Sequence, residues 1–338
     1  MNDTVKKYND TMKRIGVVLL LWTVFFYAFM LVQQLISEVL QSVSPGESSK
    51  MISSVLYLVA YLAAFILAAV LYHFIKKKKY DMPFRFNTVL RKDTFAWVFG
   101  GIACTLAFST VNAVFVSILP FPESADMMNY AHEYMSDGNL ILQFVTYALV
   151  PAFCEELLFR GVILSNLMPY GKASAIVISA VLFGAMHGNF YQFLYTTVAG
   201  IIIGTAYVMT DSIWCSVLIH MINNSIAFLQ IAIYDRFSSE YAWIVWLAVE
   251  CVIFTVGFIC IAYLVTKKKN VSPDTIKPVF GESDKEPENC DAEQNGLEKL
   301  TFSTDISVSQ TVKGFFTLPI IFFILIRVSE AILAFVLL

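Results

Sequence analysis

Apolar residues run along this chain in blocks of about twenty or more, parted by short polar stretches, with no strand-like alternation outside the loops and no internal repeat. A hydrocarbon core of about 30 Å is crossed by about 20 helical residues, so each block reads as a membrane-spanning helix. The pattern predicts spans at 15–36, 51–75, 95–119, 139–168, 172–188, 190–210, 212–234 and 241–266. A last apolar block, 314–338, is interrupted by Arg327 and Glu330 at i,i+3 spacing. It can cross, re-enter or lie along the interface, and a crossing is favoured. The expectation is an all-α polytopic membrane protein of about eight transmembrane helices with a possible ninth.

Composition agrees. Of 338 residues 58% are apolar and 14% charged, and the mean hydropathy is +0.68; a soluble domain carries about 25% charged residues. The net charge of −3 says less than where the cations fall. Lys6, Lys7, Lys13 and Arg14 precede the first span, Lys76 to Lys79 with Arg85, Arg91 and Lys92 follow the second, and Lys267 to Lys269 follow the eighth. Glu123, Asp126, Glu133 and Asp137 fill the loop after the third span without a Lys or Arg. The positive-inside rule then puts the N-terminus in the cytoplasm. The first span has no cleavage site after it and is expected to stay in the membrane. Residues 270–313, polar and net acidic, read as a flexible tail. The six cysteines (104, 154, 215, 251, 260 and 290) have no paired spacing and read as small buried residues, not as disulfides or a zinc knuckle. The 29 Phe and 16 Tyr suit lipid-facing helices and interfacial belts, and His73 and His132 have no motif partners. A lipid bilayer is the expected partner and nucleic acid is not; oligomeric state is not readable.

What needs a reason is charge inside the apolar helices. Glu155, Glu156 and Arg160 lie within YALVPAFCEELLFRGVILSNLM, 147–168, where a charged side chain costs roughly 2.5 to 3.5 kcal/mol at mid-membrane. Glu156 and Arg160, four apart, share a helix face and can neutralise each other. Glu155, turned about 100° away, has no local partner. Pro151 cannot donate a backbone hydrogen bond, which predicts a kink or a restart of the helix before Glu155. His187 ends the fifth span, with Phe183 one turn before it; His220 and Asn224, four apart, share a face of the seventh. All of these must face inward, since lipid would leave them unsatisfied. The Asn189 side chain is expected to cap a helix end, and Asn223 to be structural.

One carboxylate, two imidazoles and an amide can hydrolyse an amide bond without a serine or cysteine. Glu155 with His187 could hold and deprotonate a water. His220 and Asn224 could donate hydrogen bonds to the developing oxyanion, one such donor being worth about 2.7 to 4 kcal/mol.

EELLFR (155–160), FGAMH (183–187) and HMINN (220–224) match in order the EExxxR, FxxxH and HxxxN motifs of the CPBP family. The chain resembles that family over about residues 140–235. It takes in the CAAX prenyl endopeptidases and bacteriocin-processing proteins, glutamate-type intramembrane proteases related to the Rce1-type protease of eukaryotes. The resemblance implies a three-span region at 1–138, a catalytic membrane core at 139–266, an acidic tail at 267–313 and an added apolar segment at 314–338. It implies Glu155 and His187 as the water-activating pair, His220 and Asn224 as the oxyanion hole, and Glu156, Arg160 and Phe183 in support. The substrate would be a peptide or membrane protein, cut near the cytoplasmic face because Glu155 is read as a modest step inside Lys172. The family's bacterial spread and the lysine-rich loops point to a bacterial cytoplasmic membrane, where a prenylated CAAX protein is not the expected natural substrate.

Several readings compete with this one. Glu156 and Arg160 could be a structural ion pair, Glu155 a buried protonated carboxyl, and His187 a helix-packing group. No cofactor is expected, although Glu155, His187 and His220 could form a three-ligand zinc site. Against zinc stand the missing HExxH helix and the lack of evident second partners for the histidines. A non-catalytic scaffold or bacteriocin-immunity partner could use the same cavity. A proton-coupled transporter is disfavoured by the lack of paired, inverted polar helices.

Overall fold

A computed structural model describes residues 3–75, 92–118, 140–269 and 306–337. Among the described residues there is helix and no strand. The Lys76 to Arg91 run, the acidic loop after the third span, His132, Cys290 and most of the acidic tail lie outside them.

Among the described residues seven helices are long and apolar enough to cross a membrane: α1 (Asp3–Val43), α2 (Glu47–Ile75), α3 (Lys92–Ile118), α4 (Ile141–Tyr170), α6 (Phe190–Thr210), α7 (Ile213–Arg236) and α8 (Ser239–Lys269). The protein is therefore a multi-pass membrane protein. The predicted fifth span is the shorter α5 (Lys172–Met186). It is bounded by two glycines in conformations that other residues avoid, Gly171 at φ 128° and Gly188 at φ 64°. Its 15 residues rise only about 22 Å, too little for a straight crossing. The last apolar block is a bent pair, α9 (Val308–Phe315) and α10 (Leu318–Leu337), turned by 65° at the break.

Two apolar cores divide the bundle. One joins α1, α2, α4, α5 and α10 through residues such as Trp22, Phe65, Leu158, Leu182 and Phe323. The other joins α3, α6, α7 and α8 through Ile102, Ile203, Ile219 and Trp246. α5 and α6 approach closely because small residues line their contact. A Cβ on Gly200 would stand 3.0 Å from the Ala180 Cα, and one on Gly184 would collide with Thr197. α10 runs alongside α1 in the same direction. The Tyr8 hydroxyl donates to the Thr311 carbonyl at 3.0 Å, Gly16 lies against Pro319 and Ile320, and Trp22 faces Arg327.

Pro151 does not restart α4; the span continues from Ile141 to Tyr170. Its winding widens instead, into π-helix at Val145–Leu149 and again at Leu157–Leu164. The Val150 amide reaches back five residues to the Val145 carbonyl, and the Ser165 amide to that of Arg160. Wide turns of this kind occur mostly as single bulges inside α-helices, frequently at functional sites. Here they flank the short α-helical stretch Val150–Glu156 that carries both carboxylates.

Candidate active site

The two glutamates, adjacent in sequence, have different surroundings. Glu156 is wholly buried, and its Oε1 accepts from Arg160 Nη1 and from His220 Nδ1, both at 2.9 Å. The i,i+4 neutralisation is thus present, with a second donor from α7. Arg160 also donates through Nη2 to the Gly200 carbonyl at 3.1 Å, and its guanidinium carbon stands 4.8 Å from the centre of the Phe183 ring. An arginine buried to 1% exposure is tolerable because its charge and several donors are met.

Glu155 lacks a partner on its own helix, as predicted, and finds one in α2. The Tyr61 hydroxyl donates to its Oε1 at 2.5 Å. Its Oε2 is buried and accepts no hydrogen bond; the nearest cationic candidate is His220 Nε2 at 3.9 Å. Tyr61 gives no signal in the sequence, since a tyrosine in an apolar span is ordinary.

Hydrogen-bond partners also orient the imidazoles. Carbonyl and carboxylate oxygens only accept, so the nitrogen facing one must carry hydrogen. His187 Nδ1 lies 2.9 Å from the Phe183 carbonyl of its own helix, which leaves Nε2 as the basic nitrogen of the neutral ring. His220 Nδ1 donates to Glu156, and its Nε2 faces Glu155. The Phe183 ring meets both imidazoles edge-on, with centroids 5.0 Å from His187 and 5.7 Å from His220. Glu155 and His220 both lie within electrostatic reach of His187.

Asn224 is where the prediction and the structure part. Its Nδ2 donates to the Tyr147 carbonyl at 3.3 Å, and not toward the histidines. The reason lies in α4. The carbonyl four residues before a proline has no α-helical donor, and for Pro151 that carbonyl is Tyr147. Asn224 supplies one. Asn223 accepts from the Tyr195 hydroxyl at 2.8 Å and Asn189 caps α6 by accepting from the Gln192 amide at 2.8 Å, both as predicted.

The structure therefore gathers Glu155, Glu156, Arg160, Phe183, His187 and His220 where the two cores meet, and adds Tyr61. His187 caps the C-terminal end of the 15-residue α5, and His220 is the eighth residue of α7. Among the described residues no three His, Cys, Asp or Glu side chains converge as metal ligands. The five described cysteines are free thiols; Cys154, beside Glu155, and Cys215 are buried, but Cys104 and Cys251 are exposed on the outside of the bundle, so the expectation of buried cysteines fails for those two.

Residues 137–226 match the family model of type II CAAX prenyl endopeptidase Rce1-like proteins. The matched stretch holds α4 to α6 and most of α7, with every residue of the three motifs. No curated protein and no solved structure matches the chain significantly.

Proposed function

We propose that this chain, which carries an Rce1-like domain, is an intramembrane endopeptidase that hydrolyses a peptide bond in a membrane-associated peptide or protein. The observation that carries the reading is Glu155 itself. One of its oxygens is fixed by Tyr61 and the other is left free beside the imidazole that Glu156 holds. Glu156 Oε2 is likewise buried without a hydrogen bond, but Glu156 is tied to Arg160 and His220, whereas Glu155 meets no cation at hydrogen-bond distance and is the carboxylate left to act on a water.

In the proposed reaction a water sits between Glu155 Oε2 and the basic Nε2 of His187. Glu155 takes one of its protons while the water oxygen bonds to the substrate carbonyl carbon. The carbonyl oxygen becomes an oxyanion. His220, its Nδ1 held by Glu156, points Nε2 toward Glu155 and donates from there to the oxyanion when that nitrogen carries a proton. The proton held by Glu155 then passes to the amide nitrogen as the carbon–nitrogen bond breaks. Asn224 joins as a second donor only if its amide leaves the Tyr147 carbonyl.

The test is cleavage of peptides, prenylated and unprenylated, by protein purified in detergent, with and without a chelator. Glu155→Gln should lower kcat by about 10²- to 10⁴-fold, as expected for loss of a general base, and His187→Ala should follow it. A Glu155→Gln protein that cleaves at the wild-type rate overturns the mechanism. Abolition of wild-type cleavage by the chelator points to zinc. A cellular role kept by the Glu155→Gln protein points to a scaffold or immunity partner.

A further inference from the structure

The C-terminal helix lies outside the matched domain, yet it carries a buried arginine. Arg327 is 5% exposed, and in an apolar helix such a charge demands a reason. It is paired with Glu330 at 2.9 Å. Its guanidinium carbon stands 5.2 Å from the centre of the Trp22 ring, 5.4 Å from that of Tyr27 and 5.9 Å from that of Phe323. These contacts account for a cation held between α1 and α10. They do not account for where its hydrogen bond goes.

Arg327 Nη1 donates to the Met186 carbonyl at 3.2 Å. Met186 is the last residue of α5, and His187 is its cap. The last carbonyls of a helix have no partner within it, and a cation there is favoured by the helix dipole. On the other side of His187, Gly188 takes the left-handed conformation that ends many helices, with φ 64°. A Cβ at Gly188 would stand 2.9 Å from Glu330 Oε2 and 3.3 Å from Arg327 Nη1. The Arg327–Glu330 pair thus bears on the backbone both before and after His187. A methionine in place of the arginine would fill the space between α1 and α10 at less desolvation cost, so helix packing alone does not require the charge.

We propose that Arg327 is a positioning residue of the active site: by fastening the end of α5 it holds His187 in register with Glu155, and so makes α10 a working part of the enzyme. This rests on the peptidase reading above. The contact does not itself touch substrate, and its loss should act through the placement of His187.

The experiment compares wild type, Arg327→Met and Arg327→Lys in detergent, each checked for a monodisperse, folded population and a thermal transition. Arg327→Met should lower kcat by roughly 10²-fold, the penalty of a misplacement of about 1 Å, with KM little changed. Arg327→Lys, which can still reach the Met186 carbonyl, should recover most of the loss. A second readout needs no substrate: the rate at which diethyl pyrocarbonate modifies His187, read by mass spectrometry against His220 in the same molecule. That ratio should rise in Arg327→Met and return in Arg327→Lys. A folded Arg327→Met protein with wild-type kcat and an unchanged ratio overturns the inference while leaving the peptidase reading intact. If wild type cleaves nothing, the peptidase reading fails, and the ratio alone decides whether Arg327 holds His187. If Arg327→Met does not fold, Arg327→Gln replaces it: a folded Arg327→Gln protein with lowered kcat and a raised ratio upholds the inference, and one with wild-type kcat and ratio overturns it.

Discussion

Among the described residues two arginine–glutamate pairs lie inside the bundle, one in the matched domain and one in the C-terminal helix, and both close at 2.9 Å. Their surroundings differ. Arg160 and Glu156 have side chains 1% and 0% exposed, and the pair is extended at both ends, to Gly200 through the arginine and to His220 through the glutamate. Arg327 and Glu330 are 6% and 26% exposed. There the arginine faces three aromatic rings where Arg160 faces one, and its Nη2 as well as its Nε makes no hydrogen bond, whereas in Arg160 only Nε is unpaired. Distance alone therefore does not say what an ion pair does. The first pair is a junction of α4, α6 and α7 on which a histidine's tautomer depends. The second is a clamp with one polar target, the end of α5.

The largest expected break in that comparison is Arg160→Met. It strands a fully buried carboxylate, and removing one partner of a buried pair typically costs about 3 to 5 kcal/mol. Thermal unfolding in detergent should show that loss, and the double change with Glu156→Gln should return part of it. Tyr61→Phe comes next: it removes a hydrogen bond to a charged group, typically about 1.5 to 3 kcal/mol, with no gap in packing. Its expected mark is a lower kcat at unchanged KM, and an unaltered rate would show that Tyr61 does not prepare Glu155. Glu330→Gln should cost about 1 kcal/mol or less in the same unfolding assay, because the carboxylate is partly exposed. Pro151→Ala should be smallest, within about 0.5 kcal/mol. By restoring an amide for the Tyr147 carbonyl it should free Asn224, and infrared or NMR detection of that carboxamide would report the release.

What could be read from the chain alone was what depends on short spacing. Glu156 with Arg160, Phe183 with His187 and the Asn189 cap each need only one turn of helix. The apolar blocks likewise foretold the helices, with α5 overestimated because its bounding glycines cut it short. The partners that could not be read are distant or have no signature. Tyr61 lies 94 positions from Glu155, and Arg327 lies 141 positions from Met186. Gly200 and Met186 act through carbonyls that every residue possesses. Asn224 differs for another reason: its motif spacing is intact, but its amide donates to the Tyr147 carbonyl, which Pro151 leaves without an α-helical donor. The resemblance supplied a role that the local backbone contests.

The wide turns of α4 bear on the membrane around it. Thirty residues wound as ideal α-helix would be about 45 Å long, half as long again as the hydrocarbon they must cross. Turns that hold more residues shorten the rod, so this span meets part of its hydrophobic mismatch by winding instead of by tilt alone. Winding also rotates whatever lies between the wide turns, and here that is the pair of carboxylates. Reconstitution in lipids of graded acyl length therefore loads those turns as well as changing the thickness of the solvent, and a change of winding is expected to register at the Tyr61–Glu155 contact.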